Sequence, residues 1–201
     1  MIALSDLHLG PGGRKEEFKS AEILCDFLYE NKDETIIIVG DLAEMWQVEH
    51  VEKIYLSHTR VCQAIYQYVD FLVRGNHDGE LKDFFGLPYH DEVIIGNTIF
   101  IHGHQFDTFN STLSFLSKIL SYAIGLGEKY IHTDTEKYLK ARLNKVGKYG
   151  DPERYKECAV DFAKERGGNK IVMGHTHKKY TGDKYINTGH CTYGNFEYQE
   201  V

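Results

Sequence analysis

Five short apolar runs, each breaking off into the same small set of polar residues, constrain this chain more than any other feature. Ile2–Leu4 runs into Ser5-Asp6-Leu7-His8, Thr35–Val39 into Gly40-Asp41-Leu42-Ala43-Glu44, and Phe71–Val73 into Arg74-Gly75-Asn76-His77-Asp78. Thr98–Ile101 runs into His102-Gly103-His104, and Ile171–Met173 into Gly174-His175-Thr176-His177. Short β-branched runs bounded by glycine and polar residues read as strands. Helical patterns separate them. Phe18, Ala21, Leu24, Cys25 and Leu28 share one helix face, and Val51, Ile54, Tyr55, His58, Val61, Cys62, Ile65 and Tyr66 recur at helical spacing. This alternation predicts an α/β fold. Ligands of open α/β sheets bind outside the carboxyl ends of the strands, so five strand ends can deliver these groups to one place.

The delivered groups suit divalent cations. Aspartate offers a hard oxygen, histidine a borderline nitrogen, and an asparagine carbonyl can complete a shell. That mix fits manganese foremost, with iron, zinc, cobalt or nickel as alternatives, better than calcium or a thiolate zinc site. Gly40, Gly75 and Gly174 directly precede candidate ligands, where glycine permits a sharp turn and close backbone approach. His50, His58, His90 and His132 have no motif around them and read as structural or exposed.

The four cysteines are scattered, with no Cys-x-x-Cys pair, and read as reduced thiols. Neither a leader nor an apolar run long enough to cross a bilayer is apparent, so a cytoplasmic protein is expected. A formal charge of -7 argues weakly against broad nucleic-acid binding. At 201 residues the chain fits one domain. The stretch 106–168 shows three helical patterns and no clear strand, and is expected to be a helical cap inserted between two core strands. After it, Tyr185–Val201 reads as one or two strands.

Taken in order, Asp-x-His, Gly-Asp-x-x-Glu, Gly-Asn-His-Asp, a lone histidine after a strand, and Gly-His-x-His resemble the calcineurin-like metallophosphoesterases. The motifs span Asp6 to His177, nearly the whole chain. The resemblance implies a four-layer α/β/β/α sandwich with a two-metal centre at its edge. It implies Asp6, His8 and His177 as ligands of one metal, Asp41 as the bridge, and Asn76, His102 and His175 as ligands of the other. His77 takes the place of the family's catalytic histidine, with Asp78 expected to hold its ring. The implied reaction is hydrolysis of a phosphoester or pyrophosphate by in-line attack of a metal-bridging hydroxide, with His77 stabilising charge and protonating the leaving oxygen.

The family's serine/threonine phosphatases carry Gly-Asp-x-x-Asp-Arg-Gly, and the Arg-Gly is absent here. Ser5–Gly10, Gly40–Trp46, His102–Asp107 and Tyr185–Gly189 look most like the UDP-2,3-diacylglucosamine hydrolase branch, which cleaves the pyrophosphate of a nucleotide-linked glycolipid precursor. The best-known members of that branch carry arginine where His77 stands. Residues 111–125 form a mostly apolar helical pattern that reads either as packing against the core or a dimer partner, or as a wall for acyl chains or a membrane surface. Lys137, Lys140, Arg142, Lys145 and Lys148 follow with no acidic residue between them. They read as a solvated helix face or as a clamp on a phosphate, with Lys140 and Arg142 the candidate contacts. Arg74 is a further candidate for phosphate, against pairing with an acidic neighbour. His104 is a candidate for substrate or metal-bound water, against a structural role. Glu44 reads as a support for the site or as a solvated helix start. The expected partner is a phosphorylated small molecule or nucleotide-linked substrate. A phosphodiesterase or nuclease is the alternative within the same chemistry, and a scaffold without catalysis the alternative outside it.

Overall fold

A computed structural model describes residues 1–13, 16–106 and 152–201. Its strands in chain order are β1 (Ile2–Leu4), β2 (Ile36–Val39), β3 (Phe71–Val73), β4 (Asp83–Phe84), β5 (Leu87–His90), β6 (Val93–Ile95), β7 (Thr98–Phe100), β8 (Lys170–Met173), β9 (Tyr180–Thr181), β10 (Tyr185–Asn187) and β11 (Gln199–Glu200). The helices are α1 (Ala21–Glu30), α2 (Glu52–Ser57), α3 (Thr59–Tyr68) and α4 (Pro152–Glu165). All five strands expected from the apolar runs are present. Strands β4, β5, β6 and β9 were not legible, being two to four residues long and partly exposed. β5 also contains Pro88, which argues against a strand when read alone.

Two sheets stack face to face. One runs β11-β1-β2-β3-β5-β4 and the other β6-β7-β8-β10-β9. The motif-bearing strands pair in parallel, β1 with β2, β2 with β3, and β7 with β8. Parallel strands are covered on both faces, which is why their residues read as unbroken apolar runs. The pleat sorts those residues between layers. Ile36 and Ile38 face the helices α1 and α3, while Ile37 and Val39 face the second sheet. Val172 meets them from β8, and its neighbours Ile171 and Met173 turn outward to α4. The architecture is therefore the four-layer α/β/β/α sandwich.

Two elements differ from the periodic pattern. The helical stretch from Val51 to Tyr66 divides at His58, whose backbone leaves the helix at φ -133. Its ring nitrogen Nε2 lies 3.1 Å from the buried Glu16 carboxylate, which also accepts from the backbone N–H groups of Gly10, Gly12 and Phe18. That tie, long in range, outweighs the local periodicity. The second difference is α4, which begins inside the range expected as a cap. Tyr155, Ala159 and Ala163, spaced by four, seat it on β7 and β8 as the outer layer. The apolar pattern at 111–125 and the basic run from Lys137 to Lys148 lie outside the described residues. Among the described residues no helix is long and apolar enough to cross a membrane.

Candidate metal centre

Each expected ligand stands where a strand has just ended, and the backbone there is bent sharply. Among the described residues seven non-glycine residues have positive φ, and five of them are Asp6, His8, Asp41, His175 and His177. This region is costly for L-residues, and aspartate and histidine enter it more readily than most. Strain held at one place by its surroundings is a mark of a functional site. Close approach adds a second constraint. A Cβ on Gly40 would stand 2.3 Å from the His102 ring, on Gly75 2.1 Å from Asp41 Oδ1, and on Gly174 2.2 Å from Ser5 Oγ. Only glycine allows these approaches, two between the sheets and one, Gly75 on Asp41, between neighbouring strand ends of one sheet.

The candidate ligand atoms form two groups, and one carboxylate, Asp41, faces both. Asp6, His8 and His177 make the first, and Asp41, His102 and His175 the second, each with its donor atoms within 4.8 Å of one another. His177 Nε2 lies 3.0 Å from Asp6 Oδ1. Asp41 Oδ2 is 3.1 Å from His102 Nε2 and 3.8 Å from His8 Nε2, so it faces both groups. Asp6 Oδ1, His8 Nε2, His102 Nε2, Asn76 Oδ1 and His104 Nδ1 are buried without a hydrogen bond. Buried polar atoms without a partner are expensive. Oxygen and imidazole lone pairs that converge in this way fit divalent cations, and no thiol is among them.

In Asp6, Asp41 and His102 the other polar atom is held, which aims the one turned to the site. Asp6 Oδ2 accepts from the Ser5 hydroxyl and, at 3.0 Å, from the His175 N–H. Ser5 Oγ is 2.6 Å from Thr188 Oγ1. Asp41 Oδ1 accepts from the His77 N–H at 2.8 Å. His102 Nδ1 lies 2.9 Å from the Val39 carbonyl, so it donates there and turns Nε2 toward Asp41, where losing the Nε2 proton would free its lone pair for a cation. Asn187 Nδ2 donates to the Gly174 carbonyl at 2.7 Å and braces the loop that carries His175 and His177. His190 stacks on His177 with ring centroids 5.0 Å apart.

The third group, His8, Glu44 and His77, is of another kind. One oxygen of buried Glu44, Oε2, lies 2.9 Å from His8 Nδ1 and 2.7 Å from His77 Nδ1. Both imidazoles donate to it, so this carboxylate is already satisfied. The expectation that Asp78 holds the His77 ring is corrected by these contacts. Asp78 accepts instead from the N–H groups of Asp41, Gly75 and Ala43 and from the Tyr89 hydroxyl. It is a buried brace for the loops that carry Asp41 and Asn76. Burial, and then the charge of Asp41, push its pKa up to about 6 against those hydrogen bonds.

Arg74 is engaged by its own loop. Its guanidinium donates to the Gly79 and Leu81 carbonyls and lies 3.5 Å from Asp91. His104 sits in a single 3-10 turn, 5.5 Å from His102 between ring centroids. Burial and the neighbouring imidazoles push its pKa down to about 3, so it is neutral. Lys140 and Arg142 lie outside the described residues. Sequence reasoning passed over Ser5, Trp46 and Asn187 as site residues and left Glu44 undecided. The fixed spacing from Asp41 to Glu44 was the available signal for the last.

Electrostatics make the centre pH-sensitive in opposite directions with and without cations. Burial works against charge on His8, but the hydrogen bond to Glu44 and the nearby carboxylates outweigh it and hold its pKa up at about 10. His102 is held up at about 9, burial again being outweighed by the charge and contact of Asp41. A histidine raised in the folded state stabilises below its unfolded pKa, and that stability is lost as pH rises through the folded value. The metal-free protein should therefore lose melting temperature between pH 6.5 and 9. Cations need neutral imidazoles and bind more tightly as pH rises. The melting-temperature gap between manganese-loaded and chelated samples should widen over that interval. A chelated sample that gains stability there would contradict the arrangement.

Comparison with known proteins gives the following. A family model described as calcineurin-like phosphoesterase matches residues 1–179. No curated protein matches the chain. Among solved structures, a Vps29 single mutant from Entamoeba histolytica is 18% identical, with 98% of this chain and 77% of that chain covered and a TM-score of 0.47. A conserved uncharacterised protein, a predicted phosphoesterase from Streptococcus pneumoniae, is 15% identical over 94% of this chain and 71% of its own, with a TM-score of 0.40. A cold-active protein-tyrosine phosphatase from a psychrophilic Shewanella species is 17% identical over 92% and 69%, with a TM-score of 0.42.

Proposed function

The chain belongs to the calcineurin-like phosphoesterases, and on that premise we propose that this metal-dependent phosphoesterase holds a pair of divalent cations on either side of Asp41. Asp6, His8 and His177 would hold one, and Asn76, His102 and His175 the other. What supports the reading is one observation: Asp41 Oδ2 faces His102 Nε2 at 3.1 Å and His8 Nε2 at 3.8 Å, and those nitrogens, like Asp6 Oδ1 and Asn76 Oδ1, are buried without a hydrogen bond among the described residues. When bound, the cations polarise the phosphoryl group and lower the pKa of water. The chain's own residues do the rest. Ser5 and the His175 N–H turn Asp6 so that one oxygen stays free. His77 keeps Nδ1 on Glu44, so in its protonated form the second proton sits on Nε2 and can pass to the leaving oxygen. Glu44 balances the imidazolium, its pKa held down at about 2 by His77 and His8 against burial.

Within this class the substrate we propose is a diphosphate of the kind found in nucleotide-linked lipid precursors. Its support lies in the sequence segments Ser5–Gly10, Gly40–Trp46, His102–Asp107 and Tyr185–Gly189, and in the basic run containing Lys140 and Arg142. His104 is proposed as a neutral substrate contact beside the second group. The chain is proposed to be one domain with an insertion between the His104 turn and α4, and a cytoplasmic protein whose insertion can touch lipid. The test is a substrate panel with manganese: an aryl phosphodiester, a monoester, a UDP-linked lipid, cyclic nucleotides and oligonucleotides. Hydrolysis of the diphosphate and the aryl diester, abolished by chelation, is expected. Turnover confined to oligonucleotides, with salt-dependent binding, would replace the proposal with a nuclease. A fully loaded sample inactive on every member would make the chain a scaffold.

A further inference from the structure

Beside the reactive imidazole stands the only tryptophan of the sequence. The Trp46 indole lies on the His77 ring with centroids 3.7 Å apart and planes inclined by 27°. Trp46 is 46% exposed, whereas His77 beneath it is 8% exposed. The indole therefore screens a ring that would otherwise face water. His8 meets the same ring in a T-shaped contact at 4.5 Å and 80°. The two loops are also joined through the backbone, where the Met45 N–H donates to the His77 carbonyl at 3.0 Å.

Glu44 alone does not fix the His77 ring. It grips one atom, Nδ1, through an oxygen that it also gives to His8. A ring held at its Cβ and at one nitrogen can still tilt about the line between them. A face-on aromatic neighbour removes that tilt, and the T-shaped contact with His8 limits it from another direction. Among the described residues none bonds Nε2, so the nitrogen left over is the one a leaving oxygen would meet. A stacked indole also favours a positively charged imidazole over its face. Offset or near-parallel stacking supplies geometry as well as contact.

We propose that Trp46 is a positioning residue for the acid step, holding the His77 ring so that Nε2 stays aimed at the leaving group. The proposal rests on His77 acting as the general acid. It assigns Trp46 an effect through His77 and none through contact with substrate.

The experiment uses the manganese-loaded full chain and two phosphodiesters of equal charge, one losing 4-nitrophenolate and one losing phenolate. Trp46→Leu should lower kcat for the phenolate ester by roughly 10–100-fold, by analogy with the loss when a partner that orients a metal-bound side chain is removed. The nitrophenolate ester, which needs little protonation, should be nearly spared, and KM should stay the same for both. Trp46→Phe, which keeps a stacking face, should recover most of the loss. Because Trp46 is the sole tryptophan, its emission reports the stack directly. His77→Leu should shift that emission to longer wavelength and make it easier to quench with acrylamide. An equal loss on both esters, a rise in KM, or no change in Trp46→Leu would overturn the proposal, as would emission unmoved by His77→Leu. The premise is judged separately with His77→Ala. If that variant loses both esters equally, the acid role itself is wrong and the proposal falls with it. If it discriminates between them and Trp46→Leu does not, only the positioning role is wrong.

Discussion

Asp41→Asn should leave a folded chain that retains fewer than two cations and turns over at least about 10³-fold more slowly, the loss expected when several kcal/mol of Lewis-acid stabilisation disappear. The reasoning begins with the carboxylate's position. Asp41 Oδ2 faces His102 Nε2 at 3.1 Å and His8 Nε2 at 3.8 Å, one from each ligand group. A single charge change should therefore weaken both proposed sites. Asparagine keeps the shape and tolerates the positive φ of 51° at this position, whereas alanine would add backbone strain. The amide oxygen can still accept the His77 N–H that Asp41 Oδ1 accepts now. Asp78, buried nearby, has its pKa raised partly by the Asp41 charge, so removing that charge relieves a repulsion. The same charge also holds His102 and His8 protonated, and their attraction keeps the Asp41 carboxyl well below the usual range against burial, so near neutral pH the metal-free variant should melt below the metal-free parent. Elemental analysis, melting temperature and aryl-diester turnover measured on one preparation decide the matter. Two retained ions with activity intact would remove Asp41 from the bridging role.

The second large effect is expected at His77. His77→Ala should cut turnover of substrates with poor leaving groups by roughly 10²–10⁴-fold, the usual contribution of positioned acid–base help. Metal content should change little. His77 contacts the candidate ligand groups through its backbone N–H to Asp41, its share of Glu44 and the T-shaped contact of its ring with His8, and it is not among the side chains of either group. Removing its ring frees Glu44 Oε2 from one donor, but the His8 contact at 2.9 Å remains. The rate deficit should shrink steadily as the leaving group becomes more acidic. A deficit that is the same across the series would assign His77 to charge stabilisation alone.

How much of this could be read without coordinates differs from residue to residue. The apolar runs before Asp6, Asp41, Asn76, His102 and His175 marked five strands correctly, because burial on both faces writes itself into consecutive residues. The glycines at 40, 75 and 174 announced close approach, though not what approached. Glu44 was visible as part of a spacing, but its two imidazole partners were not. Asp78, adjacent to His77 in sequence, invited the wrong pairing. Adjacent side chains need not face each other, and here Asp78 turns back to the loops around Asp41 and Gly75. The helical spacing from Val51 to Tyr66 hid the break at His58, since a break made by a carboxylate 42 residues away leaves no local trace.

By itself the sequence determined the α/β layering, the strand ends and the kinds of atom gathered there. Those are properties of neighbouring residues: unbroken apolar runs, glycine placement, and the chemistry of aspartate, asparagine and histidine. Tertiary structure alone decided which atom of Asp6, Asp41 and His102 is held and which is turned to the site. Ser5 meets Thr188 across 183 positions, and the His175 N–H meets Asp6 across 169. It also laid Trp46 on His77 and set Glu44 between two imidazoles. Such contacts depend on how the two sheets and their loops close on one another, and the chain between the partners carries no periodic signal of them.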